Sequence, residues 1–330
     1  MMNFNLDLKD PSPIVDSVTL SSIDKKLDMI LSRLDKIAIN NNAPNQIQDV
    51  NAAPNDVSGN LIGWWKFNNS FNDSSGVIGD NYKLYGEPKI EDCFLGKCAV
   101  FNGDESIDVD VSNKSQYQLD LYTVSIWFLA ADGANGWRTA VGSWEHDVGH
   151  CWIHLGFDDK NTIQNQTMVS SGQCQFDCDS NVTVESDKWY HVVALVSRNL
   201  QQIWINGTLA GAKDMSSVDY ADDIHRDLPS NYTWSEQKLH TPLQYIHIGS
   251  KNDEHHNPWC GKIADLSIWN RWLTPDEIRA MYNQKISVDQ IAAGTHILTQ
   301  EDAESMPQPV IAVNRSSKGF HIARQSFWYR

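Results

Sequence analysis

Two carboxylates stand two residues apart in the segment "WEHDVGH", as Glu145 and Asp147. On one β-strand that spacing places them on the same face, roughly 6.5–7 Å apart. A retaining glycosidase holds its nucleophile and its acid about 5–5.5 Å apart, so the spacing alone does not exclude glycoside hydrolysis. Histidines gather in the same region, His146, His150 and His154, and again as His255 and His256 in "NDEHHNPW". If His150 and His154 share a strand they point to one face, yet roughly 13 Å apart, too far for one metal. A transition-metal site would need ligands from another loop, and ordinary surface histidines are the simpler reading. A third kind of chemistry is stacking. Trp137, Tyr232, Trp234 and Trp259 sit in loop contexts where a flat ring can meet the face of a sugar, although burial under its own loop is the commoner fate of a tryptophan. Trp65, Trp127, Trp189, Trp204 and Trp269 lie in strand patterns and read as core.

The elements that must position these groups are short β runs. "TVSIWFLA", "RTAVGSW", "HCWIHLGF" and "WYHVVALVS" are β-branched and aromatic, and Gly, Asn and Asp clusters separate them. "IWINGTL" predicts a hairpin turning at Asn206-Gly207. "LTPDEIRAMYNQ" predicts a short helix with Thr274 as N-cap, Pro275 at its first position and Glu277 completing a capping box. The organisation reads as an arm (1–18), a helix (19–39), a flexible Asn- and Pro-rich linker (40–59), a β domain (60–284) and a C-terminal extension (285–330). In the helix, Leu20, Ile23, Leu27, Ile30, Leu34 and Ile37 recur at spacings of three and four. Leu at a with Ile at d shifts a coiled coil from dimers towards trimers or tetramers. A homotrimer is the expectation, and a helix docked on its own domain is the alternative. The extension either packs on the domain or reaches a partner.

Among 330 residues, 26 are basic and 42 acidic, a net charge of −16. That balance excludes the phosphate neutralisation on which nucleic-acid binding depends, while carboxylates in excess suit a hard cation. No apolar run approaches the ~18 residues of a membrane span. The N-terminal segment has neither a basic nor an apolar region of the secretory type, so the chain does not read as carrying a signal peptide.

Five stretches fall in a fixed order: "LIGWWKFNNSFNDSSG", "GKCAVFNGDESIDVDV", "KWYHVVALVSRNLQQIWINGTLAG", "YIHIGS" and "GKIADLSIWNRWLTPDEI". Their fold-making residues include Trp65, Phe67, Asp73 and Gly76, then Gly96, Phe101 and Gly103, then Trp189, His191, Asn206 and Gly207. Ile248 and Gly249 follow, and then Gly261, Ile263, Trp269, Asn270, Arg271 and Glu277. Over about two-thirds of the chain this resembles the LamG-like branch of the concanavalin A-like lectin/glucanase jelly rolls. The resemblance implies an all-β antiparallel sandwich and a class that mostly recognises glycans or proteins. It also implies a possible Ca²⁺ at the rim, with Asp73 and Asp104 placed where such ligands come from, the alternative being that Asp is simply a good turn former. Enzymes on this scaffold carry a third carboxylate where this chain offers Gly149 or His150. Cys93 with Cys98 and Cys174 with Cys178 are the disulfide candidates. Relatives often carry a pair like the former, and six free or buried thiols remain the alternative. A long insert, Asp214–Thr241, departs from the family pattern. The expected function is a non-enzymatic oligomeric attachment protein binding a glycan or protein surface, plausible on a virion. A purely structural capsid protein and a β-glucan hydrolase are the alternatives.

Overall fold

The β-branched and aromatic runs fold as two stacked antiparallel sheets in a computed structural model that describes residues 60–131, 136–145, 148–156, 161–169, 172–224, 228, 230–284 and 286–294. In chain order the strands are β1 (Leu61–Trp65), β2 (Tyr82–Tyr85), β3 (Lys89–Cys93), β4 (Gly96–Asn102), β5 (Ser106–Asp110) and β6 (Leu121–Ala130). They continue as β7 (Arg138–Glu145), β8 (Val148–Leu155), β9 (Thr162–Val169), β10 (Cys174–Thr183) and β11 (Trp189–Ser197). The last are β12 (Leu200–Ile205), β13 (Thr208–Asp214), β14 (Asp223–Ile224), β15 (Tyr245–Ile248) and β16 (Cys260–Trp269). Two helices follow, α1 (Pro275–Tyr282) and α2 (Val288–Ala292). Sheet one runs β13-β12-β11-β6-β16-β4-β3 with β1 also on β16, and sheet two runs β14-β10-β9-β8-β7-β15-β5-β2. This is the antiparallel jelly-roll sandwich that the five ordered stretches imply. The heptad positions Leu20, Ile23, Leu27, Ile30, Leu34 and Ile37 lie outside the described residues, as do the arm and residues 295–330.

β11, in the middle of sheet one, is buried on both faces, which explains why "WYHVVALVS" is almost continuously apolar. Val192, Ala194 and Val196 enter the core between the sheets. Their neighbours Val193 and Leu195 turn outward into a second cluster with Ile278 and Met281 of α1 and Val288 and Ile291 of α2. The Asn206-Gly207 turn forms as expected, both residues with positive φ (51° and 76°) between β12 and β13. Thr274 and Glu277 make the expected capping box on α1, and Arg271 binds the Glu277 carboxylate with both ends of its guanidinium at 2.9 and 2.8 Å. Packing continues past residue 284. Ile286, Val288 and Ile291 are buried with the helix cluster, so the first residues of the expected extension belong to this domain.

The long insert ends in local anchors. β14 adds to the edge of sheet two by pairing with Cys174 and Gln175, and the buried Gln237 amide donates to the carbonyls of Met215 and Arg198. Cysteine pairing differs from expectation. Cys174 and Cys178 stand four residues apart on β10, both facing the core and both free. That spacing is roughly 13 Å along a strand, well beyond the ~7 Å limit between α-carbons for a bridge. Cys93 and Cys98 are free as well. They are neighbours across the β3–β4 hairpin, where burial and the adjacent Cys93 push the Cys98 thiol up to about 12.

Asp73 closes the turn after β1. Its Oδ1 accepts the backbone N–H groups of Trp64 and Ser75, each at 2.8 Å. Its Oδ2 accepts the Ser75 hydroxyl at 2.7 Å and the Ile78 N–H at 2.8 Å. Four donors within the chain thus occupy the carboxylate that the resemblance offered as a calcium ligand. Asp104 is exposed, and no group of three or more His, Cys, Asp or Glu side chains placed to hold a metal occurs among the described residues. Hydrogen bonds to a charged acceptor contribute ~1.5–3 kcal/mol each, with incomplete additivity. Asp73→Ala is therefore expected to lower unfolding stability in urea by about 2–4 kcal/mol, by the same amount in EDTA as in millimolar calcium.

Candidate functional site

Sheet two buries one face against the core and turns the other away from it, where Gln164, Asp177 and Asp179 are half-buried and Gln166 and Met168 are covered. Along β9, Ile163 and Val169 point inward while Gln164, Gln166 and Met168 take the outer register, and along β10 Asp177 and Asp179 alternate with the buried Phe176 and Cys178. Cross-strand register sets Gln164 opposite Asp179 and Gln166 opposite Asp177. Asp179 Oδ2 accepts from Thr162 Oγ1 at 3.0 Å and Gln164 Nε2 at 2.9 Å, while its Oδ1 accepts the Asn181 N–H at 2.6 Å. Both oxygens of Asp177 accept from Gln175 Nε2 at 3.1 Å. Burial lifts the Asp177 carboxyl above its ordinary range, against the opposing pull of the Gln166 hydrogen bond and the Lys213 charge. Gly156 leaves room for this row, since a Cβ there would lie 2.5 Å from the Gln164 amide nitrogen.

Aromatic posts bound the polar row. Trp137, half-buried, stacks flat on the His154 ring with centroids 4.9 Å apart and planes 10° apart. Towards the other end, Trp144 packs with Met168 outside the main core, and the Lys251 ammonium sits 3.9 Å from its ring centre. Beyond it, Tyr85 stacks on His255 at 3.5 Å, and Tyr245 lies over His247 at 6.1 Å. A hydrogen-bonded chain fixes these histidines: His255 Nδ1 to Ser106 Oγ (2.8 Å), Ser106 Oγ to Asp108 Oδ1 (3.3 Å), and His247 Nδ1 to the same Asp108 oxygen (2.9 Å).

Asp177 and Asp179 are two residues apart, and every carboxylate oxygen accepts a hydrogen bond from a neighbouring donor, which fixes both groups in place. Ser106 is fully buried, and the carboxylate that orients a histidine here orients His247 rather than the His255 that meets the serine. Of the acids in "WEHDVGH", Glu145 ends β7 and its backbone pairs with Val148 at the start of β8, so the chain reverses between them; Asp147 and His146 lie outside the described residues.

His150 and His154 share β8, as expected, but not a face. A bulge between Cys151 and His154 in the pairing with β9 breaks the alternation. His150 packs by Tyr122 and Trp152 with Nε2 3.0 Å from the His240 carbonyl, whereas His154 meets Trp137. Of the loop aromatics, Trp137 alone joins the outer face. Trp234 is half-buried as an anchor for the insert, donating Nε1–H to the Met215 carbonyl at 3.2 Å and packing on Phe176, with Tyr232 edge-on against it. Trp259 is fully buried and edge-on to Phe128, so it is core rather than ligand-binding, because the chain passes beneath β6 just before entering β16. Gln164, Gln166, Asp177 and Asp179 belong to no motif, and only the polar residues recurring in "TIQNQTMV" and "QFDCDS" signal a strand with one face away from the core.

The sequence profile of the Laminin_G_3 family, described as the concanavalin A-like lectin/glucanases superfamily, matches residues 102–279. No curated protein matches the chain. Among solved structures, the receptor-binding domain of botulinum neurotoxin mosaic serotype C/D is similar at a TM-score of 0.52 and 16% identity, covering 69% of this chain and 52% of that one. The binding domain of Paraclostridial Mosquitocidal Protein 1 is similar at 0.51 and 15%, covering 69% and 53%. The chain thus spans about half the length of those two domains. Domain 4 of an extracellular arabinanase from Geobacillus stearothermophilus, in complex with arabinotriose, scores 0.49 at 20% identity, covering 67% of this chain and 98% of that one. At these identities the likeness is one of fold.

The buried histidines give a pH signature. Burial lowers both His150 and His191 to about 3. An unfolded histidine titrates near ~6.5, so between that value and about 3 the unfolded chain binds protons that the folded chain refuses. Stability therefore falls as pH drops through this window, by up to ~1.4 kcal/mol per pH unit for each ring. In urea titrations at pH 7, 6, 5 and 4, His191→Asn should lose less stability than the parent, with the gap between the two narrowing steadily below about pH 6.5.

Proposed function

Because the chain belongs to the Laminin_G_3 family of the concanavalin A-like lectin/glucanases superfamily, we propose that it is a non-enzymatic recognition protein that holds a glycan on the outer face of sheet two. The observation that carries this reading is the row of Gln164, Gln166, Asp177 and Asp179 lying beside the Trp137–His154 stack. Side-chain amides and carboxylates fixed by their neighbours can exchange hydrogen bonds with vicinal hydroxyls at little ordering cost. A flat indole accepts the C–H face of a sugar ring. A neurotoxin receptor-binding domain and the binding domain of a mosquitocidal protein, both similar in fold, fit a recognition role.

Extended to the N-terminal heptad, the proposal is an oligomeric attachment protein, trimeric by the choice of Leu and Ile, of the kind a virion surface carries. Three heads on one stalk would multiply weak single-site contacts through effective concentration. The support for this extension is the heptad and the linker after it.

A glycan array probed with the full chain should show selective binding. Trp137→Ala and Gln164→Ala should each weaken binding to the selected glycan by roughly tenfold, about 1.4 kcal/mol, without shifting the thermal unfolding midpoint by more than a few degrees. Absence of binding to any glycan, or hydrolysis of the bound glycan, would refute the reading.

A further inference from the structure

The opposite face of the sandwich carries a groove that the sheet-two site does not use. It lies on the outer surface of sheet one, between the β3–β4 hairpin and the end of α1. Phe94 and Leu95 form the two-residue turn of that hairpin, since Cys93 pairs with Gly96. Phe94 leans out of this turn, about half exposed, with its edge against both Trp127 (5.1 Å) and Trp189 (5.3 Å). Tyr282, the last residue of α1, lies nearly parallel to Trp127 at 5.9 Å. Together with Asn283 and Gln284 these rings line a shallow, open hollow of about 430 Å³. A second hollow of about 350 Å³ adjoins it, sharing Trp127 and Gln284 and adding Trp64, Lys66, Asp265 and Asp289 to its wall.

Two backbone features position polar groups in this groove. Gln284 follows the C-cap of α1 with φ 56°, and Asp265 interrupts β16 with φ 47°. Glycine adopts that region freely and L side chains hold it at a cost. Each of these positions instead presents a polar side chain to the hollows. Asp265 Oδ1 accepts Trp64 Nε1–H at 2.6 Å, and Lys66 lies 3.7 Å over the same indole. One closes a helix and the other makes a β-bulge, and together they hold two polar side chains at the wall of the second hollow.

We propose that this groove is a second glycan-binding site, taking a neutral oligosaccharide of at least two sugar units, one in each hollow. A pyranose presents C–H faces to aromatic rings and hydroxyls around its rim. The groove offers the matching pair, with Phe94, Trp189 and Tyr282 as ring surfaces and Gln284, Asn283 and Asp265 as hydrogen-bonding partners. Trp127 and Gln284 are common to both hollows, so one chain can run from the first to the second. Asn283 and Gln284 stand beside the rings in the first hollow, and Asp265 and Gln284 stand beside Trp64, Leu95, Met281, Ile286 and Val288 in the second, so both hollows pair apolar surface with hydrogen-bonding groups.

The full chain is titrated with neutral di- to hexasaccharides of the gluco-, manno-, galacto-, xylo- and chito-series, read by tryptophan fluorescence and calorimetry. At least one series should bind and alter the emission. Phe94→Ala should weaken that binding at least tenfold. Gln284→Gly should weaken it similarly while raising the thermal unfolding midpoint, because it removes the strained side chain. A purely structural role for Gln284 predicts the higher midpoint with binding intact. Trp137→Ala, on the far face, should leave this binding unchanged. Lack of binding by every series overturns the proposal, as does binding that survives both Phe94→Ala and Gln284→Gly. Loss confined to Trp137→Ala assigns the sugar to sheet two and overturns the groove while sparing the other site.

Discussion

β16 is the strand on which the rest of the sandwich depends. Along one edge it pairs with β6, and along the other it serves β4 with its first half and β1 with its second. β16 serves these three partners with a break in its pairing to β6. Its register with β6 shifts between Ala264 and Ser267, with Asp265 at φ 47° in the gap. The Asp265 carboxylate then receives the Trp64 indole N–H and ties the outer side of β1 to the bulge. At the start of the strand, Gly261 has φ 142°, and a Cβ there would lie 2.0 Å from the Leu129 carbonyl oxygen. Close approach of β6 to β16 requires that position to be glycine.

This geometry explains which parts of the fold can be read from sequence. Turn and cap chemistry is local, so Asn206-Gly207 and the Thr274–Glu277 box announce themselves in a few residues. The ordered family residues sit where strands cross or turn, and Gly261 and Trp269 lie on β16 itself. What sequence conceals is the bulge. Alternation of period two predicts His150 and His154 on one face, and a single extra residue in β8 sends them to opposite sides. The domain end is concealed for another reason. α2 is only five residues long, and its three apolar side chains make sense only against the cluster already built by α1 and β11.

The site is less legible than the fold because the middle of sheet one, at β11, is apolar on both faces. Trp189 and Trp259 illustrate the difficulty from opposite directions. Trp189 stands in a strand and reads as core, yet it lies half-buried on the outer face with Trp127. Trp259 stands in a loop among histidines and reads as a ligand contact, yet it fills the core beside Phe128. Residue type and local pattern are the same evidence in both cases. The difference is made by which layer the chain enters next, a tertiary property with no local signature. On sheet two the outer polar row is visible as alternation, but its partners are set by the register of β9 with β10.

Charge narrows what either face can recognise. A net charge of −16 sets a repulsive field for polyanions, and at physiological salt that field is screened only beyond ~8 Å. Sulfated or phosphorylated polymers would have to overcome it at close range, where the cations facing sheet two include Lys251, already placed over Trp144, and Lys213, paired with Asp222. A neutral sugar feels none of this repulsion. Its affinity must then come from ring stacking and from hydrogen bonds to amides and carboxylates, each modest once the displaced water is counted. Such contacts gain strength by being fixed before the ligand arrives. In sheet two the fixing is done by neighbouring donors around Asp177 and Asp179, and in the groove by the backbone conformation of Asp265 and Gln284.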